Sequence, residues 1–159
     1  MRLYWYGAGS SEHWRRVAEK KGCSESVFFE GPSDDLTDRF LESGYLVFPS
    51  RVEGMSNVLL EAQAAGLPAV VSDIAGNTAV VQDGLNGQVV PVGDAEALSE
   101  ALLALFRSPS KRAVMGRAAR ARMMESFAIE KVAARLEFAY EQALAGSFRG
   151  GVTSKHFDD

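Results

Sequence analysis

Short apolar runs alternate with segments of helical spacing through the first part of the chain. The apolar runs are Leu3–Tyr6, Val27–Phe29, Tyr45–Phe48, Ala69–Val71 and Gln88–Val90. Between them the spacing predicts helices over Glu12–Lys20, Leu36–Glu42, Ser56–Ala65 and Asn77–Val81, each punctuated by glycine or proline. Strands alternating with helices mean βαβ units and a parallel sheet. The expected fold class is therefore α/β, a Rossmann-like three-layer α/β/α arrangement with a five-stranded parallel sheet. After the last strand the pattern turns wholly helical, near Ala95–Phe106, Ser110–Glu125 and Ile129–Leu144. The last of these repeats apolar residues at Ile129, Val132, Leu136, Tyr140 and Leu144. Residues 1–145 read as one domain. Residues 146–159, with three glycines and no helical pattern, are expected to be disordered.

In an open parallel sheet, ligands bind in the crevice at the carboxyl ends of the strands. That directs attention to the loops Gly7-Ala8-Gly9-Ser10, Gly31-Pro32-Ser33, Pro49–Ser56 and Ser72–Asn77. Each carries glycine after a strand, which would let backbone amides approach a nucleotide closely, and which is also ordinary turn chemistry. The third loop is the most informative. Glu53-Gly54 ends it, Ser56 or Asn57 can cap, and Val58–Ala65 is a strong helix former that stops at Gly66 and Pro68. A helix whose first amides face a glycine loop can hold an anion such as a diphosphate. Within that helix Glu61 and Gln63 are the only polar side chains after Asn57, so Glu61 is expected to sit largely out of water. An ionised carboxylate there needs hydrogen-bond donors, and a ribose diol would supply them.

Composition narrows the setting. A chain of 159 residues suits one domain with a real core. Net charge of -4 and a sequence pI near 5.3 argue against a general nucleic-acid binder. The single Cys23 cannot form an intramolecular disulfide, no apolar run reaches the ~20 residues of a membrane span, and Arg2-Leu3-Tyr4-Trp5-Tyr6 is too short for a signal peptide. These features read as cytoplasmic. From Arg107 to Arg122 there are six basic residues and no acidic one. Two readings stay open for that stretch: a solvated helix face, or peripheral contact with the inner face of a membrane.

Taken together, the motifs resemble the donor-binding half of retaining glycosyltransferases of the GT-B type, the group 1 or family 4 class. The resemblance runs from about Leu3 to Ala145. It is carried by Gly7-Ala8-Gly9, Val27-Phe28-Phe29-Glu30-Gly31, Phe48-Pro49-Ser50, the E-x(7)-E pair Glu53 and Glu61, the run Glu61-Ala62-Gln63-Ala64-Ala65-Gly66-Leu67-Pro68, and Asp83-Gly84-Leu85-Asn86-Gly87. A bare E-x(7)-E is common by chance, whereas the ordered set is specific. The resemblance implies that Glu61 binds the ribose hydroxyls of a nucleoside-diphosphate sugar and that Glu53, the catalytic candidate, lies by the transferred sugar. It implies that amides of Gly54, Met55, Ser56 and Asn57 contact the sugar and diphosphate, and that the loops at Gly7, Gly9 and Gly31 border the nucleotide. It implies no metal and no cofactor, because helix amides and basic side chains neutralise the leaving diphosphate.

This sequence departs from the family pattern in several places. The family's domain normally begins one strand and one helix earlier, with an arginine and a lysine that clamp the diphosphate, and an acceptor-binding half precedes it. None of these is in the sequence, and Arg51 is either a substitute for the clamp or a solvated loop residue. Ala79 stands where relatives often carry a glutamate. The missing strand would lie between Leu3–Tyr6 and Tyr45–Phe48, so those two are expected to pair directly in the order 2-1-3-4-5, unless another chain fills the gap. The leading expectation is a glycosyltransferase donor-binding domain, incomplete without an acceptor half from elsewhere. The alternatives are a non-catalytic nucleotide-sugar-binding or interaction module and, less favoured by the E-x(7)-E context, a sugar epimerase. Bland roles remain beside the sharp ones: Glu61 in a salt bridge, Glu53 on the helix dipole, Ser56 as a cap. An apolar terminal helix without its landing surface suggests self-association.

Overall fold

The computed structural model describes residues 1–33 and 35–145. The expected tail at 146–159 lies outside the described residues. The described residues divide into two compact units, the second beginning at Ala121.

The first unit holds five strands, β1 (Leu3–Tyr6), β2 (Val27–Gly31), β3 (Leu46–Phe48), β4 (Ala69–Ser72) and β5 (Gly87–Val90). All pairings are parallel. The helices of this part are α1 (Glu12–Lys20), α2 (Thr37–Glu42), α3 (Asn57–Ala64), the single turn α4 (Ala75–Thr78), α5 (Ala95–Arg107) and α6 (Pro109–Arg122). A 3-10 turn at Ser24–Ser26 leads into β2.

β4 is the most buried strand, at 0–1 % exposure throughout. Such burial needs an apolar side chain on both faces, which Ala69-Val70-Val71 supplies. Val70 points to one side, where it packs with Val90, Ala101, Leu105 and Met115 under α5 and α6. On the other side Leu46 packs with Phe40, Ala62 and Leu67 of the α2–α3 layer. Helices thus cover both faces of the sheet formed by β3, β4 and β5. Each fully buried side chain such as Leu59 or Leu105 contributes roughly 1.5–3 kcal/mol. Helix α6 comes close to the α3–β4 turn because Gly116 has no side chain to meet the Gly66 carbonyl.

The expected continuous sheet is not formed. β2 and β1 make a two-stranded sheet, and β3, β4 and β5 a three-stranded one. β1 and β3 do not pair, which corrects the 2-1-3-4-5 order. Just before the two strands, the Tyr45 hydroxyl lies 2.9 Å from the Met1 sulfur. β3 is three residues long, so a direct ladder would add only a few hydrogen bonds of about 1 kcal/mol net each. The aromatic side chains of β1 are meanwhile engaged away from β3. Tyr4 stacks on Phe28, and Trp5 stacks on Trp14 of α1 and leans on Phe29. β1 consequently remains exposed at Leu3, Tyr4 and Trp5.

In the second unit a π-helical turn at Met123–Phe127 precedes α7 (Ile129–Leu144). Arg135 donates to the carbonyls of Ser126 and Lys131, which ties the turn to the helix. The stripe Ile129, Val132, Leu136, Tyr140 and Leu144 is exposed.

Candidate functional site

Two pairs of loops gather at the carboxyl ends of the strands. After β1 and β2, the Gly7 amide donates to the Gly31 carbonyl at 2.9 Å, joining the two glycine loops. Gly31, at φ 80°, and Gly9, at φ 105°, occupy a backbone region that glycine enters without strain. Gly7 has no such requirement. After β3 and β4, the loop Pro49–Ser56 rests on the loop that follows Ser72. Among the described residues, no hydrogen bond joins one loop pair to the other.

The second pair surrounds the start of α3. Ser56 stands at the N-cap position with extended backbone, φ -78° and ψ 122°, yet its hydroxyl makes no capping bond. The expectation that Ser56 or Asn57 would cap is therefore corrected. With no side-chain cap, the first amides of the helix stay open to an acceptor brought from outside. Gly54, Met55 and Asn57 are exposed and Ser56 is half-buried. The Glu53 side chain is exposed, and its Oε1 accepts a hydrogen bond from Ser50 Oγ at 3.1 Å. Arg51 is exposed beside Gly93, on the turn between β5 and α5.

Glu61 is exposed, not withdrawn from water as its apolar neighbours suggested. The helical turn explains the correction. Asn57, Glu61 and Ala64 share the outer face, while Leu59, Ala62 and Gln63 face the core. Among the described residues Glu61 makes no ion pair, so the salt-bridged reading lapses. Glu53, held by Ser50, and Glu61 thus present two exposed carboxylates, one before and one after the open helix start.

The buried polar side chain of α3 is Gln63, at 0 % exposure. It donates to the carbonyls of Leu67 and Asn86 and accepts from the Asn86 side chain at 2.7 Å. Asn86, equally buried, also donates to Val80 and accepts from the Gln82 amide. This network ties α3 to the turn before β5 and engages both amide donors of each side chain. The sequence carried a signal for it, a lone glutamine in an alanine-leucine run, but no means of pairing it with Asn86.

The loop Ser72–Asn77, expected at the ligand-facing edge, makes contacts that its sequence does not announce. Ser72 Oγ donates to the Ser50 carbonyl. Asn77 Nδ2 donates to the Ser72 carbonyl at 3.0 Å and to Ser72 Oγ at 3.2 Å. Gly76 lies against the carbonyls of Glu53 and Gly54. Two surface depressions, of about 390 and 330 Å³, lie along α7 and beside the α3–β4 turn, and neither borders Glu53 or Glu61. The described residues contain no group of three or more histidine, cysteine, aspartate or glutamate side chains arranged to hold a metal, and no helix long and apolar enough to cross a membrane.

Parallel strands with helices on both faces, and glycine loops at their carboxyl ends around an open helix start, define a Rossmann-like domain of the GT-B type. The family model described as glycosyl transferases group 1 matches residues 1–108, and this chain belongs to that family. It is 33 % identical over 152 residues to a D-inositol 3-phosphate glycosyltransferase of Streptomyces coelicolor, covering 94 % of this chain and 33 % of that protein. The structure of sucrose-phosphate synthase from Thermosynechococcus elongatus is similar with a TM-score of 0.78 and 27 % identity, over 92 % of this chain and 39 % of that one. HepE of Anabaena, solved with UDP, shares the fold at a TM-score of 0.78 and 19 % identity, over 90 % and 41 % of the two chains. The chain spans about a third of the length of the curated relatives it matches.

Proposed function

We propose that this chain is the donor-binding domain of a glycosyltransferase that uses a nucleoside-diphosphate sugar. One observation carries the reading: α3 begins without a side-chain cap, and the exposed carboxylates of Glu53 and Glu61, neither of them in an ion pair among the described residues, stand on either side of that start. The open amides and the helix dipole suit the diphosphate. Glu61, one helical turn beyond Asn57, accepts hydrogen bonds from the ribose hydroxyls. Glu53 lies beside the transferred sugar, where its carboxylate supports positive charge developing at the anomeric carbon as the diphosphate departs. The bond from the anomeric carbon to the diphosphate oxygen breaks with its electron pair going to the diphosphate, a bond forms to an acceptor hydroxyl oxygen, and the hydroxyl proton passes to the departing diphosphate, with retention implied by the family resemblance.

Neither a metal nor a cofactor enters this account, because amides at Gly54, Met55, Ser56 and Asn57 carry the charge of the leaving group. The loops at Gly7, Gly9 and Gly31 border the base and ribose. Relatives three times as long support an acceptor-binding half in the rest of the polypeptide or in a partner chain. A strand from that source would also pair between β1 and β3. The exposed Arg107, Arg117 and Arg120 are available for contact with an anionic lipid surface, whereas Arg112 is committed to the carbonyls of Leu105 and Phe106.

A non-catalytic nucleotide-sugar module is the second reading, favoured by Ala79 and by the open edges of β1 and β3. Calorimetric titration with UDP, GDP, ADP and their glucose conjugates tests both. UDP is tried first, because solved relatives hold it. Saturable binding of one base supports a donor site, and absence of binding by a folded chain at millimolar ligand contradicts it. Glucosyl transfer after addition of an acceptor-half polypeptide separates the catalytic reading from the non-catalytic one.

A further inference from the structure

We infer that Ser72, Gly76 and Asn77 form a positioning element that sets the Glu53–Gly54 backbone and the aim of the Glu53 carboxylate. The role as a donor-site element rests on the function proposed above; the positioning itself does not.

Ser72 is 1 % exposed and Asn77 0 %, and polar groups so placed have partners in native proteins. Asn77 Nδ2 donates to Ser72 Oγ at 3.2 Å, and the amide also holds the Ser72 carbonyl at 3.0 Å. A serine hydroxyl has one proton to give. Ser72 gives it to the Ser50 carbonyl, and Ser50 Oγ in turn donates to Glu53 Oε1 at 3.1 Å. The buried amide thus orients the Ser72 hydroxyl, that hydroxyl holds the Ser50 backbone, and the Ser50 side chain on that backbone donates to the exposed carboxylate. Among the described residues the Asn77 side chain is held through its donor end.

Gly76 acts on the same loop independently. A Cβ built there would overlap the Gly54 carbonyl and stand 2.6 Å from the Glu53 carbonyl oxygen and 2.8 Å from the Gly54 carbonyl carbon. Its backbone is not among the positive-φ glycines, and alanine is the better helix former. Space is thus the reason for glycine at this position. With a side chain there, the two peptide units that carry Glu53 and Gly54 must move.

The test uses the whole chain and backbone nitrogen relaxation, first without ligand. In wild type the Gly54 and Met55 amides should be ordered, with order parameters near about 0.85. Ser72→Ala and Gly76→Ala should each lower them below about 0.6 while β4 and α5 stay unchanged. Ser50→Ala, a partly exposed change, should leave the backbone ordered and break only the link to the carboxylate. In titrations, Ser50→Ala should keep UDP affinity within about twofold and weaken UDP-glucose relative to UDP by about threefold or more, a change of about 0.65 kcal/mol at RT of 0.59 kcal/mol. Unchanged loop order in both Ser72→Ala and Gly76→Ala overturns the inference. So does a loss of order spread equally over β4 and α5, or a ratio of sugar to nucleotide affinity that Ser50→Ala does not move. If wild type binds no nucleotide, the donor-site reading fails, and the ligand-free relaxation comparison alone decides the positioning.

Discussion

The side-chain amides of Gln63 and Asn86 bond to each other at 2.7 Å in the interior, joining α3 to the turn before β5. Backbone groups engage the remaining donors of both and the Asn86 oxygen, so every amide nitrogen and oxygen of the pair has a partner. Replacing Gln63 by leucine strips the Asn86 amide of its acceptor and removes the side-chain donor to the Leu67 and Asn86 carbonyls. We expect Gln63→Leu to lose about 2–4 kcal/mol, read as a lower denaturant midpoint with an unchanged slope. The double variant with Asn86→Leu should lose less than the sum of the singles, because the two residues share one network.

Gly116 gives a second stability test. A methyl group there would overlap the Gly66 carbonyl and lie 3.6 Å from the Pro68 ring. Helix propensity favours alanine by about 1 kcal/mol, but forcing a methyl into packed backbone costs about 1–3 kcal/mol. Gly116→Ala should therefore lower the melting temperature. The same change at Gly54, where open space surrounds the position, should leave melting nearly unaltered.

Tyr45 links pH to the core. Burial raises its phenol above the usual 10.0, and the Arg112 charge offsets part of that rise. The hydroxyl donates to the Leu102 carbonyl at 3.2 Å. Because the folded value lies above the unfolded one, the contribution is complete below pH 10 and is lost as pH rises through the folded value. Absorbance titration should show one tyrosine ionising later than free tyrosine, and Tyr45→Phe should abolish that late step. At neutral pH the same variant should lose about 1 kcal/mol.

The open edges of β1 and β3 predict self-association. Leu3, Tyr4 and Trp5 are exposed on a strand with one free edge, an arrangement that pairs readily with another chain. Sedimentation should show a mass that rises with concentration, and Tyr4→Lys should suppress the rise. A constant monomer mass at the highest soluble concentration contradicts this expectation.

Much of the fold was legible because its local signals agreed. The bounds of β1, α1 and α7 follow from apolar periodicity, and glycine or proline stops mark the ends of α2 and α3. Periodicity failed at α4, where the chain makes one turn at Ala75–Thr78 instead of a helix over Asn77–Val81. Bonds from the Asn77 and Thr78 amides back to Ile74 start that turn early, and no apolar pattern announces it. The burial of Glu61 was misjudged for a related reason. Counting polar residues in an apolar run does not say which face they occupy; the 100° step per residue puts Gln63 inward and Glu61 outward. Pairing between β1 and β3 is a long-range choice that neither strand encodes alone. At the site, Glu53, Gly54 and Glu61 were legible as a motif, whereas Ser50, Ser72, Gly76 and Asn77 act through contacts that only the folded chain brings together.

The central claim is that Glu61 holds a ribose at the start of α3. The most direct measurement compares UDP with its 2′,3′-dideoxy analogue on wild type and on Glu61→Ala by calorimetry. Hydrogen bonds to a charged carboxylate are worth about 1.5–3 kcal/mol, so Glu61→Ala should weaken UDP by roughly 10- to 150-fold. The dideoxy analogue should bind wild type and variant alike. Equal affinity of wild type and Glu61→Ala for UDP, or an equal loss for both nucleotides, would contradict the account.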